Sequence, residues 1–210
     1  MIYEFCAENF TLIEKAMEAG ARRIELCDNL AVGGTTPSYG VTKAAVELAA
    51  NYETTIMTMI RPRGGDFVYT NQEVAIMLDD IRLTAQAGSQ GVVFGALTAD
   101  NKLDKFNLEK LIAASNGMEI VFHMAFDELS DQDQLEAIDW LSQAGVKRIL
   151  TRAGVSGDSL EKRFSRYQRL LDYATGKIEI LPGGAIDMDN RQEFIDRLGV
   201  NQLHGTKVVF

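Results

Sequence analysis

Four times along this chain a helical run ends in a glycine and a strand-like segment begins two to four residues later. The four junctions are Ala19-Gly20-Ala21-Arg22-Arg23-Ile24-Glu25-Leu26, Ala87-Gly88-Ser89-Gln90-Gly91-Val92-Val93-Phe94, Ala144-Gly145-Val146-Lys147-Arg148-Ile149-Leu150 and Leu198-Gly199-Val200-Asn201-Gln202-Leu203. Glycine suits the left-handed position that closes a helix, so each junction reads as helix stop and strand start. Between successive glycines there is room for one more strand and helix, which makes the repeat two βα units long.

The intervening strands are Ile2–Cys6, Thr55–Ile60, Glu119–His123 and Lys177–Leu181, giving eight short apolar segments in all. Helical runs are expected at Phe10–Ala19, Thr42–Ala50, Gln72–Ala87, Leu108–Ala114, Gln132–Ala144 and Ser159–Tyr173. Strict alternation implies right-handed βαβ crossovers and a parallel sheet. Eight strands in series favour an α/β fold of the TIM type, a closed (β/α)8 barrel, over an open doubly wound sheet. No linker or low-complexity tract divides residues 1–210, so one domain is expected. Only six residues follow His204, too few for a normal final helix. Barrel wall near Val208, Val209 and Phe210 is then expected to be left uncovered, and a homodimer is the expected way to bury it.

The 210 residues carry a net charge of −9, which argues against nucleic acid or an anionic membrane as partner. No apolar run approaches the roughly 20 residues that span a bilayer. The N-terminus lacks the basic region of a signal peptide, and the chain has two cysteines. Both features read as a cytoplasmic protein with reduced thiols.

The three prolines, Pro37, Pro62 and Pro182, all follow strands, and His123 and His204 sit at strand C-termini. In a barrel these positions share one end, where ligand sites are built. The loop Ile60-Arg61-Pro62-Arg63-Gly64-Gly65-Asp66-Phe67 places two arginines and an aspartate where the third strand leaves the core.

Strands one and two carry matching triplets, Glu4-Phe5-Cys6 and Glu25-Leu26-Cys27. The two-residue strand period puts each glutamate on the side of its cysteine. If that side is the barrel interior, two carboxylates and two thiols converge from strands about 4.8 Å apart. Arg61 is the expected partner of Glu25 or Glu4, because buried carboxylates are seldom left unpaired. The cysteines are either small core filler or a two-thiolate site for a soft metal. Thiolates select Cu(I), with thioethers of Met57, Met59 or Met124 in reserve, whereas tetrahedral zinc would want four ligands and Cys-x-x-Cys is absent.

The segments Arg23-Ile24-Glu25-Leu26-Cys27, Gly33-Gly34-Thr35-Thr36-Pro37-Ser38-Tyr39-Gly40, Ile60–Tyr69 and Phe122-His123-Met124-Ala125-Phe126-Asp127 together resemble the CutC copper homeostasis family. The resemblance covers essentially the whole chain. It implies a cytoplasmic, commonly self-associating TIM-type barrel that binds copper, with Cys6 and Cys27 matching the cysteines proposed to hold Cu(I). Two departures stand out. Met124 occupies the place where the family usually has arginine, and Arg152 the place of a small residue. The chain also stops before the longer family members.

The same mouth supports a second expectation, an enzyme acting on a small anionic metabolite, phosphorylated or carboxylated. Glu25, Arg61, His123 and Asp127 would then be catalytic, with His123 an acid or base near neutral pH. Glu4, Ser38, Arg63, Asp66, Gly183 and Gly184 would bind the ligand. Backbone amides after Pro182 lie where TIM barrels often hold phosphate.

Overall fold

The structure is a computed structural model that describes residues 1–155 and 157–210. Its strands are β1 (Ile2–Glu8), β2 (Arg23–Cys27), β3 (Thr55–Met59), β4 (Gly91–Phe94), β5 (Glu119–Phe122), β6 (Arg148–Thr151), β7 (Glu179–Pro182) and β8 (Gln202–Gly205). The helices are α1 (Ile13–Glu18), α2 (Tyr39–Ala49), α3 (Asn71–Ala87), α4 (Lys105–Ser115), α5 (Asp131–Gln143), α6 (Leu160–Ala174) and α7 (Arg191–Leu198). The strands form one parallel sheet in the order β7-β6-β5-β4-β3-β2-β1-β8. Hydrogen-bonded pairing of β8 to β1 curls the sheet into an α/β barrel of the TIM type.

Closure is incomplete. β7 and β8 lie side by side, yet no backbone ladder joins them among the described residues. The seam is spanned instead by a hydrogen bond of 3.2 Å from Gln202 Nε2 to Glu179 Oε2 and by a single bridge between Asp187 and Lys207.

Local sequence explains the helix limits. Ser38, Thr70, Asp104, Ser130 and Ser159 each accept a backbone N–H at a helix start, and Thr70 with Glu73 forms a full capping box. Gly88 and Gly199, at φ 87° and 64°, close α3 and α7 as expected. α7 was not among the six expected helices. Only Phe194 of its eight residues is buried, so it offers little apolar period to read. α1 begins three residues later than expected because Leu12 takes a left-handed conformation, φ 60°.

Alternation along the strands sorts two cores. Phe5, Ala7, Ile24, Leu26, Ile56, Val92, Phe94, Ile120, Phe122, Ile149, Ile180 and Leu203 face outward against the helices. Cys6, Cys27, Met57, Met59, Val93, Val121, Leu150 and Leu181 fill the barrel interior.

The expected gap beside the tail is not there. Val208 and Val209 are buried, Phe210 stacks on Phe5 at 5.3 Å, and Lys15 lies 4.1 Å from the Phe210 ring. Arg191 Nη1 donates to the Val208 carbonyl at 2.6 Å. The tail closes over the wall within one chain, which removes the premise on which a dimer at that place rested.

Candidate metal centre

The triplets of β1 and β2 do face the barrel interior, but they are staggered. Glu4 pairs in register with Arg23 and Cys6 with Glu25, a two-residue shift between neighbouring strands. The stagger sets Cys6 beside a carboxyl group rather than beside its matching cysteine. Cys6 Sγ lies 3.3 Å and Cys27 Sγ 3.7 Å from Glu25 Oε2. The two thiols and that carboxyl group sit within 4.8 Å of one another, as do Glu4, Glu25 and His204. All five side chains are buried, and both thiols are free.

Glu4 is held from two sides, by Arg23 Nε and by His204 Nδ1 at 2.8 Å. Arg23 also donates to Gln202 Oε1 at 2.7 Å. His204 Nε2 comes within 3.7 Å of Glu25 Oε2. These contacts correct the expectation for Arg61, which pairs with neither carboxylate. It lies beyond the end of β3, where the chain turns, and its Nη atoms donate to the carbonyls of Val32, Gly34 and Gly65 at 2.9, 3.0 and 2.7 Å.

Electrostatics separates the two glutamates and the two cysteines. Burial alone would raise Glu4, but Arg23 and His204 outweigh it and bring it down to about 2. For Glu25 burial is the largest effect and, with the neighbouring Cys6 and Glu4, outweighs the opposing charge of His204, so its carboxyl is pushed well above the usual carboxylate range. Cys6 is brought down to about 5, chiefly by a hydrogen bond from Cys27, against the opposing effect of burial and with help from His204 and Glu25. Cys27 is pushed well up by the same hydrogen bond and by burial. Burial would lower His204, but Glu25, Cys6 and Glu4 together carry it well above its ordinary value. Within the cluster the thiolate form is therefore favoured at Cys6 over Cys27, and the ionised carboxylate at Glu4 over Glu25. Among the described residues Glu25 Oε1 has no hydrogen-bond partner.

The remaining expected site residues form separate groups. His123 is buried at the end of β5 and packs on Phe67 at 4.8 Å. Burial, then the Arg61 charge, lowers it to about 3, so it does not titrate near neutral pH as expected. Gly95 lies against it, and a Cβ there would come within 2.7 Å of the imidazole. Asp127 accepts from the Thr151 hydroxyl and from Arg152 N at 3.0 Å, and burial raises it to about 6. Met124 and Arg152, the two family departures, meet here, with Arg152 Nη2 3.3 Å from Met124 Sδ. Arg63 pairs with Glu73 at 2.6 Å and Asp66 at 2.9 Å. Ser38 is the exposed N-cap of α2, its Oγ 3.3 Å from Val41 N. The Gly183 amide, expected to be open to a phosphate, donates to Thr151 O at 2.9 Å. The carbonyls of Gly183 and Gly184 are both held by Arg163. Gly183 also lies against the cluster, since a Cβ there would meet His204 at 3.2 Å.

Sequence reasoning missed Arg23 and gave His204 no role in the cluster. Arg23 was open to the same two-residue rule that grouped Glu25 with Cys27. His204 reaches Glu4 only through closure of β8 on β1.

The sequence profile of the CutC family matches residues 1–209. A CutC protein of Enterococcus faecalis is 50% identical over 209 residues, covering 100% of both chains. The mouse copper homeostasis protein cutC homolog is 38% identical, covering 97% of this chain and 72% of its own length. The crystal structure of a CutC protein from Streptococcus agalactiae superposes with a TM-score of 0.95 at 42% identity over 99% of each chain. A deoxyribose phosphate aldolase from Aeropyrum pernix, 13% identical with a TM-score of 0.71 over 98% of this chain and 84% of its own, shares the barrel fold alone. A match over nearly every residue, joined to the same backbone, settles the lineage: this chain belongs to the CutC family.

Proposed function

We propose that the chain binds Cu(I) between Cys6 and Cys27 as part of copper handling in the cytoplasm. The observation that carries this reading is a pair of buried free thiols sharing one carboxyl group inside the barrel, with an unpartnered oxygen beside them. Two sulfur donors suit a soft monovalent ion of low coordination number. The interior methionines Met57 and Met59 pack in the same cluster as both thiols and add soft thioether sulfur to it. Charge also fits. Cys6 is the thiolate that meets the ion, and release of the Cys27 proton as one Cu(I) enters leaves the cluster's total charge unchanged. A family relative, the mouse protein, carries copper homeostasis in its name.

The enzyme alternative is the weaker reading. His123 is neutral and deep, and Asp127 is already engaged by Thr151 and Arg152.

Anaerobic titration with Cu(I) against a competing chelator tests the proposal. Wild-type protein should take up about one equivalent, the stoichiometry expected of one thiolate pair. Cys6→Ser and Cys27→Ser should each abolish uptake. An unchanged titration of the double variant would remove the thiol pair from the function.

A further inference from the structure

Above the thiol cluster, two buried hydrogen-bond donors flank one aromatic ring, and a third stands beside one of them. They belong to Arg61, Tyr69 and His123, which are 4%, 8% and 3% exposed. Among the described residues Arg61 Nε, the Tyr69 hydroxyl and His123 Nε2 are all buried without a well-formed hydrogen bond. The Arg61 guanidinium lies 4.9 Å from the centre of the Phe67 ring, and the imidazole of His123 lies 4.8 Å from it. Tyr69 follows two residues after Phe67, and its hydroxyl lies beside the Arg61 guanidinium, whose charge and N–H groups offset part of the upward push of burial on it and leave the hydroxyl's own proton free to donate.

The direction of each unmet bond is fixed by chemistry. Arginine Nε–H can only donate. His123 Nδ1 accepts the Ala125 backbone N–H at 3.2 Å, so the neutral ring carries its proton on Nε2, which is therefore a donor. The tyrosine hydroxyl can donate as well. A group that satisfies all three must accept throughout.

Charge narrows the class further. Buried cations are normally paired. Among the described residues the Arg61 guanidinium lies on the Phe67 ring, donates to the neutral carbonyls of Val32, Gly34 and Gly65, and forms no ion pair with a carboxylate. Arg163, the other buried arginine held by carbonyls, differs because none of its nitrogens is left orphaned. A positive site with three idle donors matches a negative, acceptor-only ligand.

We propose that Arg61, Tyr69 and His123 form a binding site for a small oxyanion, a phosphate or carboxylate group, beneath Phe67 at the C-terminal mouth of the barrel. Phe67 is the gate. It is also a wall of a 270 Å³ cavity lined by Gly65, Asp66, Val68, Leu97, Asn101 and Glu128, so the ring stands between that cavity and the donors. The site is distinct from the thiol pair and needs no copper.

The test is an NMR titration of the metal-free protein that follows the His123 Nε2–H resonance, with inorganic phosphate in one arm and malonate in the other. At least one anion should shift the resonance saturably, and the arm that responds identifies phosphate or carboxylate as the group held. Tyr69→Phe should weaken that binding about tenfold, the usual loss when one hydrogen bond to a charged group is removed. Its melting temperature should stay level or rise, because the lost hydroxyl has no internal partner. No saturable shift in either arm would overturn the proposal, with water filling the donors' needs. An affinity unchanged in Tyr69→Phe would overturn it too, as would a clear fall in that variant's melting temperature.

Discussion

Arg23 and Arg61 carry the same charge on neighbouring segments of the barrel, yet only Arg23 meets a carboxylate. The difference is depth. Arg23 opens β2 with its side chain inward, level with Glu4 on β1, whereas Arg61 stands past the end of β3 and is spent on loop carbonyls. Composition and order along the chain could propose a carboxylate–arginine pair but not its depth. The two-residue period did bring Glu4, Cys6, Glu25 and Cys27 to one interior face, and the same period would have added Arg23. His123 gives a prediction at this scale. Its folded-state value, about 3, lies below the unfolded value of 6.5, so its contribution is intact above pH 6.5 and is lost as pH falls toward 3. Between pH 7 and pH 5 this one group should remove about 2 kcal/mol of stability. Urea unfolding of wild type and His123→Gln at the two pH values checks it. The variant should be less acid-sensitive by about that amount, and equal sensitivity would mean that His123 protonates freely in the folded protein.

Helix starts show how an element can imitate a site. Ser38 lies in one of the sequence segments most typical of the family, and its position after β2 invited a ligand role. Its hydroxyl instead accepts the Val41 amide and begins α2. Ser38→Ala should therefore lower stability by about 1 kcal/mol, the usual cost of a lost N-cap. Cu(I) uptake should be unaltered. Thermal unfolding and metal titration on the same preparation separate the two roles, and a loss of uptake at unchanged stability would restore the ligand reading. The order and alternation of the elements were legible because the helix-closing glycines and apolar runs are local signals. α7 escaped because a short, polar helix buries little more than Phe194. The limits of α1 escaped because Leu12 adopts a left-handed conformation that its side chain does not announce.

For the whole molecule, the barrel was predictable from eight alternating units, but the closing contacts were not. They join residues at opposite ends of the chain, such as His204 with Glu4 and Phe210 with Phe5, and no local pattern encodes them. Val208 belongs to this closure. Val208→Ala should cost about 1–3 kcal/mol, the scale for a trimmed and fully buried side chain, and calorimetry would detect it as a lowered melting temperature. A variant as stable as wild type would show that the tail merely rests on the barrel.

The ladder missing between β7 and β8 has a further consequence. Elsewhere in the sheet, freeing an amide means breaking a run of backbone bonds in concert. Along this seam the strands are tied by a side-chain contact from Gln202 to Glu179 and by one bridge beyond the strand ends. Deuterium should therefore enter the seam-facing amides of β7 and β8 long before those of β3 and β4, through brief partings of the wall. His204 and Gln202 sit on one lip of that line, so solvent that passes through it arrives beside the carboxyl and thiol cluster. The barrel is thus expected to open first from its side, next to the residues it hides most deeply.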